Sequence, residues 1–200
     1  MRKLSLLFVL LSGSLQAQSI ELMPGTERIF GDLQWLQSFE ENRAWSLFSR
    51  TRFTVDYQEQ TSFFTGAYLN YTLSSGFGAS LIGRASTTGA ASDIGLHFFK
   101  AHEHFMVFAI SWIPLTEELS YSAFSIMRYT PSINRQWKLY SSLELFTSFD
   151  NGGHRISFQG LRLGVDRAGY QFGLGLNLSA RGVDFASLDR NPGIFLRKQF

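Results

Sequence analysis

Tyr170-Gln171-Phe172-Gly173-Leu174-Gly175-Leu176-Asn177-Leu178-Ser179 alternates without a break. Tyr170, Phe172, Leu174, Leu176 and Leu178 share one parity, and Gln171, Gly173, Gly175, Asn177 and Ser179 share the other. Successive side chains of a strand point to opposite faces, so this stretch reads as a strand with one apolar and one polar side. Soluble strands run about 5–6 residues, whereas a tilted strand crossing a bilayer needs about 9–11. Length and two-sidedness together point to membrane crossing.

The same period extends through the chain. Trp45, Leu47, Phe53, Val55 and Tyr57 oppose Ser46, Arg50, Arg52, Thr54 and Asp56. Phe63, Ala67, Leu69, Tyr71 and Leu73 oppose Gly66, Asn70 and Thr72, and Trp137, Leu139, Leu143, Leu145 and Phe149 oppose Lys138, Ser142, Glu144 and Ser148. Strands are expected at about 27–39, 43–57, 61–73, 77–85, 92–100, 104–114, 119–130, 136–149, 154–166, 169–181 and 193–200. Ser19–Met23 offers a short twelfth. Between Phe158 and Leu161 the apolar parity switches, and Gly160 suggests a bulge there. Residues 104–114 are apolar on both faces and cannot be oriented by pattern. Pro114 to Glu118 resembles a helix start, but the alternation of Leu119, Tyr121, Ala123, Met127 and Tyr129 favours a strand. Short turns at 40–42, 74–76 and 167–169 alternate with expected longer loops at 86–93, 150–153 and 182–191.

Composition agrees. The chain has 200 residues, 44% hydrophobic and 17% charged, with 20 Phe, 7 Tyr, 4 Trp, 18 Gly and no Cys. Outside the N-terminus no apolar run approaches the ~20 residues of a spanning helix. The absence of Cys excludes disulfides, thiolate metal sites and Cys nucleophiles. Arg2 and Lys3 before Leu4–Leu11, then Ser12-Gly13-Ser14 and Ala17, read as a secretory signal peptide over residues 1–17, leaving 18–200 as one domain. Without Arg2 and Lys3 the Lys and Arg equal the 16 Asp and Glu, so the mature chain is formally neutral. Nucleic acid is not an expected partner.

Which face meets lipid follows from magnitude. Turning Arg50 or Arg52 toward mid-bilayer would cost roughly 2–4 kcal/mol each. The polar parity must therefore face a lumen, and the sheet must close, because an open edge leaves unpaired backbone groups in hydrocarbon. The expected fold is all-β: a transmembrane up-and-down antiparallel barrel of ten to twelve strands, with twelve favoured. The final residues, Ile194-Phe195-Leu196-Arg197-Lys198-Gln199-Phe200, resemble the C-terminal signature of bacterial outer-membrane β-barrel proteins, with Ile194, Leu196 and Phe200 matching and Lys198 departing from an apolar position. The resemblance implies the bacterial outer membrane, lipid contact there, and insertion by the barrel-assembly machinery.

The lumen parity gathers Arg50, Arg52, Arg84, Arg128, Lys138, Arg162 and Arg197 with Asp32, Asp56, Asp93, Glu144 and Asp166. An excess of guanidinium favours anions in a water-filled pore, as in small porins of the acidic-oligosaccharide type, which this pattern resembles. The near balance of sign, with Phe48, Tyr68, Phe99 and Phe124 on the same parity, favours an interior closed by ion pairs and side chains over an open pore. His97, His102 and His104 are metal-ligand candidates only by proximity in sequence, and neither metal nor cofactor is expected. Ser111, Ser125 or Ser141 with His97 or His154 are available to a lipid- or peptide-modifying enzyme, but no local motif joins a nucleophile to a base. The expected role is a non-enzymatic structural or narrow channel protein preferring anionic small solutes. The alternatives are a barrel enzyme and a partner-binding barrel.

Overall fold

A computed structural model describes residues 19–39, 44–58, 61–116 and 119–200; the expected signal peptide, residues 1–17, lies outside the described residues. The described residues form β1 (Ser19–Pro24), β2 (Arg28–Ser38), β3 (Trp45–Asp56), β4 (Thr61–Thr72), β5 (Phe77–Ser86), β6 (Gly89–Ala101), β7 (Phe105–Pro114), β8 (Ser120–Tyr129), β9 (Lys138–Asp150), β10 (Gly153–Arg167), β11 (Tyr170–Arg181) and β12 (Ser187–Gln199). Each strand pairs antiparallel with its chain neighbours, and β1 pairs with β12, so the sheet closes into an up-and-down barrel. Closure removes both edges. Ser19 and Gln199 pair at one end of the wall, so both termini of the barrel share that end.

The alternation decides the faces as expected. Leu174, 70% exposed, and Leu96, 71% exposed, lie on the outside, while Asn177, Arg162 and Asp93 are buried inside. Aromatic side chains band the outer wall near both ends. Trp45 packs on Tyr71 and Phe77 on Phe98 toward the termini, with Tyr129 and Tyr170 at the same end. Tyr57, Phe63, Tyr121 and Phe149 mark the other end, and Leu and Ile fill the space between. This is a membrane β-barrel fold, with a lipid-facing band between aromatic girdles. Outward hydroxyls pair with each other where they can, Thr51 with Thr65 at 2.9 Å. Lys198 is reconciled in the same way: its ammonium reaches the Ala168 carbonyl at 3.1 Å and lies over the Tyr170 ring, snorkelling to the barrel end.

Ser19–Pro24 is a full member of the wall, so the barrel has the favoured twelve strands. Three expectations are corrected. The final strand begins at Ser187, not 193. Asn191 explains the extension: its side-chain oxygen accepts the Glu27 and Arg28 N–H groups and its amide donates to the Arg28 carbonyl, substituting for pairing where β1 has ended. The bulge lies between His154 and Ile156, and Gly160 stays in register with Glu144 and Asn177. The parity switch at Phe158 has a different cause. Phe158 points inward onto Phe30, because part of the interior is itself apolar. Finally, the expected long loops are tight: 87–88 and 151–152 are two-residue turns, so no long outer loop is available there to fold into the barrel.

β7 is apolar on both faces because both faces meet apolar surroundings. Ile110 and Trp112 join an interior cluster with Tyr68 and Ile82, while Phe105 and Ile113 face outward. Gly164 and Gly173 stand opposite each other on β10 and β11. A side chain on Gly173 would run into the Leu163 carbonyl and the Gly164 backbone, so both positions need the close approach that only glycine allows.

Candidate functional site

The interior of the barrel is crossed by ion pairs. Arg50 on β3 grips Asp32 on β2 with two bonds, Nε to Oδ1 at 2.8 Å and Nη2 to Oδ2 at 2.6 Å. The same Nη2 reaches Glu144 Oε1 at 2.6 Å, and Arg52 Nη2 bonds the other Glu144 oxygen. β3 and β9 stand six strands apart in a ring of twelve, so Glu144 meets Arg50 and Arg52 across the full lumen. The four side chains form a strut. Asp32 and Arg50 are buried to 3% and 4% exposure, and their charges are tolerable there only because each is paired with good geometry.

Aromatic residues pack on either side of the strut. Phe30, Phe158 and Phe195 pack with Met23 and Tyr140 on one side; Phe48, Phe108, Phe124 and Phe146 surround Tyr68, Ile82, Ile110 and Trp112 on the other. Guanidinium planes lie over several of these rings, Arg52 over Phe158 at 5.2 Å and Arg50 over Phe124 at 5.4 Å. Arg prefers such faces to bare hydrocarbon.

Two more pairs line the wall. Arg84 Nε meets Asp93 Oδ2 at 2.6 Å. Arg162 Nε meets Glu21 Oε1 at 2.7 Å and its Nη1 donates to Asn177 Oδ1 at 2.9 Å. Glu21 carries this site yet belongs to the shortest strand. Its signal in the sequence is the alternation Ile20-Glu21-Leu22 within the short twelfth strand candidate, which places Glu21 on the polar parity.

Arg128 and Arg197 differ from the rest. Both donate to one neutral acceptor, Gln34 Oε1, at 2.6 Å and 3.1 Å. Gln34 is on β2 and Arg128 on β8, again opposite each other. Arg197 also donates to Ser19 Oγ at 2.6 Å, and its nearest carboxylate is Glu21 at 3.7 Å, already held by Arg162. Arg128 meets no carboxylate among the described residues, and the Nε of each is buried without a partner. A cavity of about 760 Å³ lies here, reaching the termini end of the barrel, lined by Arg50, Arg128, Arg197, Gln34, His97 and Phe99 among others. Its floor holds more guanidinium than carboxylate.

No family model matches the chain, and no curated protein matches it. Among solved structures, the KdgM porin aligns over 92% of this chain and 99% of its own, at 9% identity and a TM-score of 0.52. The KdgM porin in complex with disordered oligogalacturonate aligns over the same shares at 8% identity and 0.52. LpxR from Salmonella typhimurium aligns over 92% and 100% at 9% identity and 0.47. The likeness is one of fold.

The remaining expected site residues lie apart from the strut. Lys138 is exposed at a strand end, and Asp56, at the opposite end, accepts the Gln58 N–H at 2.8 Å. Asp166 accepts the Gln171 amide at 2.8 Å near the 168–169 turn. Ile194, Leu196 and Phe200 are all exposed on the outside. The histidines do not converge. His97 is buried inside, its ring nitrogens bonded to Thr72 Oγ1 and Ser80 Oγ, while His102 and His104 sit in the turn after β6. Ser111, Ser125 and Ser141 face outward, on the other side of the wall from His97, and Ser141 bonds the Tyr129 carbonyl. Ser111, Ser125 and Ser141 form no hydrogen bond with His97 or His154 among the described residues.

Proposed function

We propose that this chain is a bacterial outer-membrane barrel whose lumen takes up small anionic solutes in the termini-end chamber and passes them through a constriction set by the Asp32–Arg50–Glu144–Arg52 strut. The observation that carries this reading is the convergence of Arg128 and Arg197 on a single neutral oxygen, which leaves two guanidinium groups facing a chamber without full neutralisation. A carboxylate or phosphate fits such a fork with paired N–H···O bonds. The oligogalacturonate named with the KdgM porin is an acidic oligosaccharide, which agrees in charge with this solute class. Entry from the periplasmic side, and insertion by the barrel-assembly machinery through the outward Ile194, Leu196 and Phe200, belong to the same proposal.

Planar-bilayer recording across a salt gradient tests it. The chain is expected to give small, anion-preferring conductance steps. Replacing Arg128 and Arg197 together by Ser is expected to move the reversal potential toward zero and weaken block by a dicarboxylate about tenfold or more, since each charge-assisted hydrogen bond is worth roughly 1.5–3 kcal/mol. Replacing Arg50 and Arg52 is expected to act on stability before selectivity, because their charge is cancelled by Asp32 and Glu144. An unchanged reversal potential in the Arg128/Arg197 variant rejects the chamber as the selective element.

A further inference from the structure

A serine and a histidine do meet in this molecule, on the outside of the barrel. The bulge after Gly153 places His154 on the outward face, in register with Phe149, and sets Ser157 on that same face opposite Thr147. His154 Nε2 lies 2.8 Å from Ser157 Oγ, and His154 Nδ1 lies 2.8 Å from the Gly182 carbonyl oxygen. A carbonyl only accepts, so Nδ1 carries a proton, and in the neutral tautomer that this bond selects the lone pair of Nε2 faces Ser157. That is the tautomer a general base requires, with a backbone carbonyl orienting the imidazole. Ser157 Oγ also donates to Thr147 Oγ1 at 3.0 Å, so its single proton turns from that oxygen to Nε2 when the base takes it.

The connection from β11 to β12 is shaped around this pair. Its short 3-10 turn, Val183–Phe185, places the Phe185 ring on the imidazole at 3.9 Å, and Phe149 meets the ring edge-on at 5.5 Å. His154 is thereby buried, although it sits on the outer wall. The turn reaches this position with Asp184 and Phe185 both in the left-handed region, at φ 61° and 58°, conformations that side chains rarely adopt and that concentrate at functional sites.

Ser157 opens onto a trough. The outer wall carries a cavity of about 590 Å³ that includes Ser157, Gln159, Thr147, Ser125, Ser111 and Leu96. Leu96, Ser111, Ala123, Thr147 and Ser157 are successive cross-strand neighbours, so this row crosses four inter-strand steps, roughly 19 Å at about 4.8 Å each. Small side chains sink the row below the flanking Phe77, Phe98 and Leu145. The trough is as long as an extended acyl chain and lies on the lipid-facing wall. Gln159, two residues beyond Ser157 on the same face, is exposed without a hydrogen-bond partner among the described residues. An unpartnered amide on a lipid-facing wall is costly unless something polar meets it.

We propose that Ser157 and His154 form a nucleophile–base pair that cleaves a carboxylic ester of a membrane lipid whose acyl chain lies in this trough. Ser157 Oγ attacks the ester carbonyl carbon while its proton passes to His154 Nε2, and the Gln159 amide donates to the developing oxyanion. The carbonyl-to-lipid C–O bond breaks, and His154 returns the proton to the leaving alkoxide. Water then attacks the Ser157 acyl ester, gives a proton to His154, and the fatty acid leaves as Ser157 Oγ regains that proton. This activity is independent of the lumen and of the solute reading above.

Two readouts on the full chain, folded in dodecyl maltoside micelles, test the pair. A fluorophosphonate probe is expected to attach to Ser157, identified by mass spectrometry, and to label neither Ser157→Ala nor any other serine. In micelles mixed with dipalmitoyl phosphatidylethanolamine, palmitate release is expected to fall about 10²–10⁴-fold in His154→Ala, the range for loss of a general base. Ser157→Ala is expected to release no more than background, and Ser141→Ala is expected to match the unaltered chain. Circular dichroism of each variant separates loss of activity from loss of fold, and His154→Gln offers a smaller change if His154→Ala does not fold. Absence of probe at Ser157, or palmitate release unchanged in folded Ser157→Ala, overturns the proposal.

Discussion

Replacing Glu144 by alanine is expected to cost the barrel about 3–5 kcal/mol, the penalty for breaking a buried ion pair by removing one partner. Glu144 is the sole acceptor on β9 for two guanidinium groups that arrive from β3, so the substitution leaves Arg52 with Asp32 at 3.6 Å and Arg50 with Asp32 alone. One carboxylate then faces two cations in a space lined by Phe30, Phe124 and Phe158. Glu144→Gln retains an acceptor and is expected to lose less. Lys138→Ala, at an exposed strand end, is expected to stay within about 0.5 kcal/mol. Urea unfolding from lipid vesicles, followed by tryptophan fluorescence, reads all three. A Glu144→Ala barrel as stable as the Lys138→Ala barrel means that the strut does not form.

Leu174→Arg is expected to cost about 2–4 kcal/mol in the same assay, because Leu174 lies outward midway along β11, between Leu163 and Ile194 on the neighbouring strands. Tyr170→Arg at the end of that strand is expected to cost only about 0–1 kcal/mol, since the side chain can reach the interface there. The difference between the two positions matters more than either value. A soluble barrel of the same shape would accept arginine equally at both, as water would meet both.

Most of the wall was legible because period two survives wherever one face meets lipid and the other a polar lumen, as in β11 and β3. It was least legible where those surroundings change. β1 spans six residues, and Ile20-Glu21-Leu22 is too short a pattern to separate from a loop. The upper part of β12 contains Asp189-Arg190-Asn191-Pro192-Gly193, a run rich in turn formers, yet it is strand because β11 pairs with it and Asn191 bonds the β2 backbone. Phe158 and Trp112 point into the lumen against the polar-inside rule, since they join ring clusters inside this narrow barrel. Parity placed Arg50 and Glu144 on the same side of the wall, but no local pattern reveals that residues 94 apart in sequence touch across a ring of twelve strands. The Ser157–His154 pair was hidden for a different reason. Strict alternation puts residues three apart on opposite faces, and only the bulge at 154–156 brings both outside.

The orientation of the wall can be measured directly, because the chain has no cysteine and single ones can be introduced cleanly. Nitroxide labels at Leu174→Cys and Ile194→Cys, with Ser142→Cys and Asn177→Cys as inward counterparts, report collision with dioxygen, which concentrates in lipid, and with a water-soluble nickel complex. The outward pair is expected to relax strongly with dioxygen and hardly with nickel, and the inward pair to be shielded from lipid-borne dioxygen. Strong nickel relaxation at Leu174 and Ile194, equal to that of a freely hydrated label, would contradict a lipid-facing outer wall.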